Sequence, residues 1–174
     1  MRFVDFLRVT VMLSGAAASL LAASAVIGAS NNDEATLVLG LAAWWVLAAA
    51  FGLYLGRRAA TTPPIARLLA DAKAATMMPE HRPGPTILNR LWPLLLLTLA
   101  TGAIAFLAPQ IPGIAAGFAI IWALAWRRQD GAVEAIEERD GVTFYVEHTA
   151  PHHPMKLVRT PGFRREVPTL NAPG

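Results

Sequence analysis

Residues 91–126 read LWPLLLLTLATGAIAFLAPQIPGIAAGFAIIWALAW, 36 residues without one formal charge. A single crossing of a bilayer uses about 17 to 25 residues, so this run is too long for one helix and only just enough for two. Near its middle stand Pro109, Pro112 and Gly113. Proline removes a backbone donor and its ring clashes with the preceding turn, so the cluster predicts a tight break between two apolar helices, 91–108 and 110–126. Because each arm is at the short end of the spanning range, a re-entrant hairpin that returns without reaching the far face is the alternative.

Two further uncharged runs precede this one. The first lies between Arg8 and Asp33, and the second, Ala35 to Gly56, is bounded by Asp33 and Glu34 before it and by Arg57 and Arg58 after it. Each is long enough for one helix across a hydrocarbon core of roughly 30 Å, which places spans at about 9–29 and 35–56. The composition agrees: the 174 residues are 55% hydrophobic and 16% charged, where a soluble domain carries about a quarter charged residues. The chain has no cysteine, which removes disulfides, thiolate metal sites and thiol nucleophiles.

Charge placement orients the spans. Arg2 and Arg8 precede the first span; Arg57, Arg58, Arg67, Lys73, Arg82 and Arg90 fall between the second and third; the remaining basic residues follow the fourth. Four crossings with the amino terminus inside put all 15 Lys and Arg in the cytoplasm and leave Asp33 and Glu34 outside, which is the positive-inside pattern. The expected class is therefore an all-α membrane protein, a four-helix transmembrane bundle with both termini cytoplasmic. Residues 1–128 form the bundle and 129–174 a cytoplasmic extension. Cleavage of the first span as a signal peptide near Ala23 to Ala25 is disfavoured, since its apolar run exceeds the usual 7 to 15 residues. Alanine, glycine, proline and arginine usage points to a bacterium with GC-rich codons, and so to an inner or plasma membrane.

Small residues recur four apart, at Gly15, Ser19 and Ala23, at Ala48, Gly52 and Gly56, and at Gly113 and Gly117. Such stripes let helix backbones approach closely in lipid, either within the bundle or towards a partner or second copy. Trp44 and Trp45 stand mid-span, away from the interfaces that membrane tryptophans favour, and are expected to fill space opposite the stripe of span one; a stacked lipid, quinone or pigment is the alternative. Trp92 and Trp126 fall at membrane edges. No ionisable side chain lies inside a span, whereas ion-coupled transport normally uses one there.

On the cytoplasmic side, Thr62-Pro63-Pro64 opens a helix expected over 63–78, with Ile65, Leu68 and Leu69 on one face. It reads as an amphipathic helix on the inner leaflet, or as a docking helix for a soluble partner. Beyond Trp126 the fourth helix is expected to continue to about Asp140 and Gly141. Val142, Phe144 and Val146 then alternate with Thr143, Tyr145 and Glu147 as in a strand, and residues 155–160, with Leu157, supply a hairpin partner. An isolated hairpin is marginal in water, so this one should lean on the membrane-proximal helices or on another protein. The closing residues have the composition of a flexible end. Ile65, Leu68, Leu69, Phe144, Tyr145 and Leu157 are thus the candidate partner surface.

No catalytic, cofactor or metal site is expected. His148, His152 and His153 cluster beside Glu147, but Pro151 and Pro154 prevent the helical spacing that would converge them on an ion. Glu137, Glu138 and Asp140 read as a solvated helix end, with no nucleophile elbow or phosphate loop nearby. The basic residues are dispersed rather than set on one module, so nucleic acid is not an expected partner. The expected function is a noncatalytic accessory or scaffold protein that contacts lipid and another membrane or cytoplasmic protein, or itself. A small oligomeric permease or channel and a lipid-modifying membrane enzyme are the alternatives.

Overall fold

The computed structural model describes residues 1–31, 35–58, 60–75, 83–147 and 153–161. Asp33, Glu34, residues 76–78 of the expected amphipathic helix, Arg82, His148, His152 and the tail from 162 onwards lie outside the described residues.

The chain is mostly helical. Helix α1 runs from Phe3 to Asn31, α2 from Ala35 to Leu55, and α4 from Pro83 to Ala103, extended by a 3-10 turn over Ile104–Phe106. Phe3–Asn31, Ala35–Leu55 and Gly84–Phe106 are each long and apolar enough to cross a membrane. Helix α5, Gln110–Trp126, has 17 residues and follows the turn at Pro109; the 91–126 run is therefore a hairpin broken at the proline cluster. The turn closes locally, with the Ile111 amide donating to the Ala108 carbonyl at 3.1 Å.

Helix α5 is the centre of the bundle. It packs along both α1 and α2, which touch each other much less although they are consecutive, and α4 lies mainly against α1. The reason is side-chain size. The buried positions of α5 are Pro112, Gly113, Ala116 and Gly117, and the buried positions of α1 along its span are also mostly small, Ala17, Ala18, Leu21, Ala25, Gly28 and Ala29. Helix α2 is held by one stripe, Leu41, Ala48 and Gly52. Its remaining face exposes Leu39, Val46, Leu47, Phe51 and Tyr54, and α4 exposes Leu95, Leu96, Leu97 and Leu99. Contiguous apolar surface of this kind suits lipid rather than water.

At the arginine-rich end, separate parts of the chain close into one cap. Helix α3 spans Pro63–Ala70, strand β1 Lys73–Ala74, helix α6 Gln129–Asp140, and strands β2 and β3 Val142–Val146 and Leu157–Pro161. The sheet order is β1-β3-β2. β2 and β3 are antiparallel with Phe144 opposite Arg159, and β1 joins β3 in parallel with Lys73 opposite Val158. Arg2 bridges to Tyr145, and the Val146 amide donates to the Met1 carbonyl at 3.0 Å, so the amino terminus borders the other side of β2. Gly141 takes a left-handed φ of 63° and ends α6, its amide donating to the Glu137 carbonyl. The fourth helix does continue past Trp126, but with a break at Arg127 and Arg128.

Two expectations need correction here. The helix opened by Thr62 stops at Ala70 rather than running to 78, because the chain turns to place Lys73 and Ala74 in the sheet. The apolar face of α3 is also covered by the chain itself. Ile65 and Leu69 are buried with Phe3, Val4, Phe6, Leu7, Leu91, Val133, Phe144, Val146 and Leu157 in one cluster. Each fully buried side chain of this size contributes about 1.5–3 kcal/mol relative to exposure, so α3 gains more from this core than from a free surface.

Candidate functional site

Three features could support function: two apolar recesses along the bundle and the polar network that fixes the cap. The larger recess, about 400 Å³, lies between α1, α4 and α5, where Thr10, Ser14, Leu21, Leu94, Thr101 and Trp122 are among its lining residues. Its hydroxyls are largely committed to helix backbone: Thr10 donates to the Phe6 carbonyl at 2.8 Å, Ser14 to Thr10 at 2.8 Å and Thr98 to Leu94 at 2.7 Å. What remains is an apolar volume whose end towards the cap carries Leu91, itself part of the cap's core.

The second recess, about 310 Å³, lies on another face, between α1, α2 and α5. Gly15, Ala18, Ser19 and Ala22 form its α1 wall, Trp45 its α2 wall, and Ile120, Ala123 and Leu124 its α5 wall. The stripe of span one therefore borders open space rather than a tight helix contact. A side chain added at Gly15 would meet nothing within 4 Å, and Ser19 and Ala23 are exposed. The other stripes are close contacts. A Cβ at Gly52 would lie 2.9 Å from the Leu124 Cβ, and one at Gly56 would strike the Leu124 carbonyl oxygen. Ala48 is buried on the same α2 stripe, Gly113 lies under Leu41, and Gly117 lies under the Trp44 ring.

The paired tryptophans bind α2 to α5. Trp45 Nε1 donates to the Gly113 carbonyl at 2.8 Å and Trp44 Nε1 to the Ile114 carbonyl at 3.3 Å. These helical carbonyls retain a lone pair beyond their own helix bond, and an indole N–H inside an apolar bundle needs an acceptor. Trp44 also meets Phe118 edge-on at 5.6 Å. Trp45 borders the small residues of α1 and Trp44 packs on α5, as adjacent helical positions pointing about 100° apart require. Trp126 packs partly against the cap's core and lies 5.1 Å from Trp122, while Trp92 is 42% exposed.

Polar groups at the arginine-rich end form clamps. Glu137 is 5% exposed and uses both oxygens: Oε2 accepts from Arg2 Nη2 at 2.7 Å and Oε1 accepts from the Phe144 amide at 2.8 Å. The hydrogen bond to Glu137 raises the Arg2 guanidinium above its already high ordinary pKa, so it stays charged at any physiological pH. Gln129 is 3% exposed and holds the segment before α3, its Oε1 accepting from the Thr62 amide at 3.0 Å and its Nε2 donating to the Ala60 carbonyl at 3.1 Å. Sequence patterning singled out neither residue for this role. An acidic helix end reads as solvated, and partners 135 and 67 residues away leave no local signal.

The candidate partner surface is placed mostly inside the cap. Ile65, Leu69, Phe144, Tyr145 and Leu157 are buried and Leu68 is half-buried. Packing in the chain's own core withdraws them from any partner, which corrects that assignment. Among the described residues no three His, Asp or Glu side chains converge as a metal site.

No protein-family model, no curated protein and no solved structure matches this chain.

Proposed function

We propose that this chain is a noncatalytic accessory or scaffold protein of the membrane, crossing four times with both ends on the arginine-rich, cytoplasmic side, where its cap meets a partner protein. The observation that carries the reading is the way the cap is built. Its core joins the first turns of α1 to α3, α6 and the sheet, and Glu137 and Gln129 clamp those parts together. Such a cap is fixed to the spans, so its outer faces hold a constant position above the membrane. Those faces carry Arg67 and Asp71 at the outside of α3 and Glu134 and Glu138 at the outside of α6. Charged, exposed positions on a rigid support favour specific, reversible contacts.

Four crossings are supported by the level of the hairpin's tip. A Cβ added at Gly28 would strike the Ala105 carbonyl and lie 3.0 Å from the Pro109 Cβ. The turn of the hairpin therefore stands beside Gly28, within one helical turn of the end of α1 at Asn31.

Two measurements test the proposal. For the partner, a tagged full chain is purified in mild detergent alongside an E134K/E138K variant. A stoichiometric second protein with the parent and its loss with the variant support the reading, whereas a lone or purely homomeric particle refutes the heteromeric form. For the topology, single cysteines are placed in this cysteine-free chain at Leu107, which is 87% exposed at the hairpin's tip, and at Glu134. Impermeant maleimide should label Leu107→Cys from outside intact cells and label Glu134→Cys only after lysis. Labelling of both from one side would overturn the four-span orientation.

A further inference from the structure

At the arginine-rich end of the smaller recess, the fold gathers arginines from three separated parts of the chain. Just past α2 the chain lies close against α5 at Gly56, where an added Cβ would be 3.2 Å from the Ala125 Cα. Directly beyond this contact stand Arg57 and Arg58 on one chain segment and Arg127 and Arg128 on the other, all exposed. Arg128 Nη1 donates to the Arg57 carbonyl at 2.8 Å, which fixes the two pairs side by side. From α1, Arg8 Nε reaches Asp130 Oδ2 at 3.4 Å, which brings Arg8 to the start of α6, two residues beyond Arg128. Among the described residues Asp130 is the one carboxylate ion-paired in this group, and it faces Arg8. Arg57 lies over the Tyr54 ring at 4.0 Å. Five guanidinium groups with one carboxylate repel one another at a boundary where the low-dielectric side weakens screening, and they call for an anion.

The recess lies along the same helices, about one to two turns from the arginines. On α5, Ile120, Ala123 and Leu124 line it, and Arg127 follows the last two at i+4 and i+3, with Arg128 at i+4 from Leu124. On α1, Gly15, Ala18, Ser19 and Ala22 line it, and Arg8 lies two turns before Gly15 on that stripe. The walls are apolar: Ser19 turns its hydroxyl to the Gly15 carbonyl at 3.1 Å, and the Trp45 N–H is given to Gly113. At about 310 Å³ the recess is at the lower limit of small-molecule sites.

We propose that this recess and the adjoining arginines bind an anionic phospholipid of the adjoining leaflet, its acyl chain along Gly15, Ser19 and Trp45 and its phosphate among Arg58, Arg127 and Arg128. Charge complementarity selects the headgroup, since a zwitterionic lipid returns the attraction as repulsion from its own cation. The site is independent of the proposed protein partner.

Native mass spectrometry of the full chain in mild detergent, titrated with dioleoyl phosphatidylglycerol or dioleoyl phosphatidylcholine, tests this. The parent should retain phosphatidylglycerol at one site in clear preference to phosphatidylcholine. R58Q/R127Q removes two arginines that hold no structural hydrogen bond among the described residues, and should weaken phosphatidylglycerol roughly 30-fold while leaving phosphatidylcholine unchanged. Gly15→Leu fills the recess from a position with open space before it and leaves every charge in place. It should abolish lipid retention with the helical circular dichroism intact. Equal retention of the two lipids by the parent, no effect of R58Q/R127Q, or undiminished retention by Gly15→Leu would each overturn the proposal. A dimer without lipid that Gly15→Leu splits would overturn it too, by assigning the recess to a second copy.

Discussion

Replacing Glu137 is the sharpest test of how the cap is held. Glu137→Ala deletes two acceptors at once. The Phe144 amide, buried at the start of the hairpin, loses its 2.8 Å bond, and an unsatisfied buried donor costs about 1–3 kcal/mol. The Arg2 guanidinium loses its 2.7 Å partner, but its side chain is 42% exposed, so water recovers much of that interaction and about 1 kcal/mol is lost. Together these give about 3 kcal/mol, or roughly a hundredfold acceleration of amide exchange through cap opening. Glu137→Gln keeps an acceptor for Phe144 and gives up only the charge, which predicts about 1 kcal/mol and roughly fivefold. Arg2→Met leaves the Phe144 bond intact but strips the buried Glu137 carboxylate of its cation, so it should cost more than Glu137→Gln. Hydrogen exchange read by mass spectrometry on peptides covering 142–146 and 157–161, in detergent, makes the comparison. Unchanged exchange in Glu137→Ala, or equal effects of Ala and Gln, would refute the clamp. Arg2 adds no pH dependence of its own. Its pKa is raised, so its contribution is complete below the ordinary arginine value and is lost only at still higher pH.

Gln129→Ala leaves the Thr62 amide and Ala60 carbonyl without their partner, at about 1–3 kcal/mol, and limited proteolysis should then cut the segment before α3 faster while α1 to α5 stay protected. Gly56→Ala drives a methyl against the Leu124 carbonyl and should lower the detergent melting temperature by several degrees, whereas Gly40→Ala, with nothing within 4 Å, should leave it unchanged or slightly raised. Asp140 is held below its ordinary value near 3.8 by the hydrogen bond from Arg139, so any stability it adds is present above that value and lost as pH falls through its lowered pKa. Both side chains are largely in water, so Asp140→Asn should melt with the parent at neutral pH.

The apolar elements were legible because their signal is local. An uncharged run of sufficient length is a helix in lipid whatever its neighbours, and the proline cluster at 109–112 marks its own break. The strand alternation at 142–146 and the glycine stop at 141 are equally self-contained. What was not legible was which partner covers a given apolar face. The period of Ile65, Leu68 and Leu69 announces an apolar stripe, but nothing in it distinguishes a leaflet or partner from Phe3, Val133 and Leu157 of the same chain. Strand β1 carries only Lys73 and Ala74, too short for a pattern, and exists because β3 offers it an edge. The stripe at Gly15, Ser19 and Ala23 looked the same as the one at Ala48, Gly52 and Gly56. One borders open space and the other a backbone contact, a difference set by where α5 comes to lie.

That placement of α5 also explains why the chain spends so much of its sequence on small residues. A 17-residue helix is about 25 Å long, a little short of a hydrocarbon core of roughly 30 Å, and several of its large side chains, among them Ile111, Ile114 and Trp122, are exposed rather than packed between helices. Burial comes instead from close approach: Pro112, Gly113, Ala116 and Gly117 let α1 and α2 reach its backbone, and the two indole N–H groups of α2 use that proximity to bond its carbonyls. Helices α1 and α2 thus both hold this helix. The same short, central helix brings Arg127 and Arg128 beside Arg57 and leads directly into α6, so the packing that completes the bundle also sets the position of the cap.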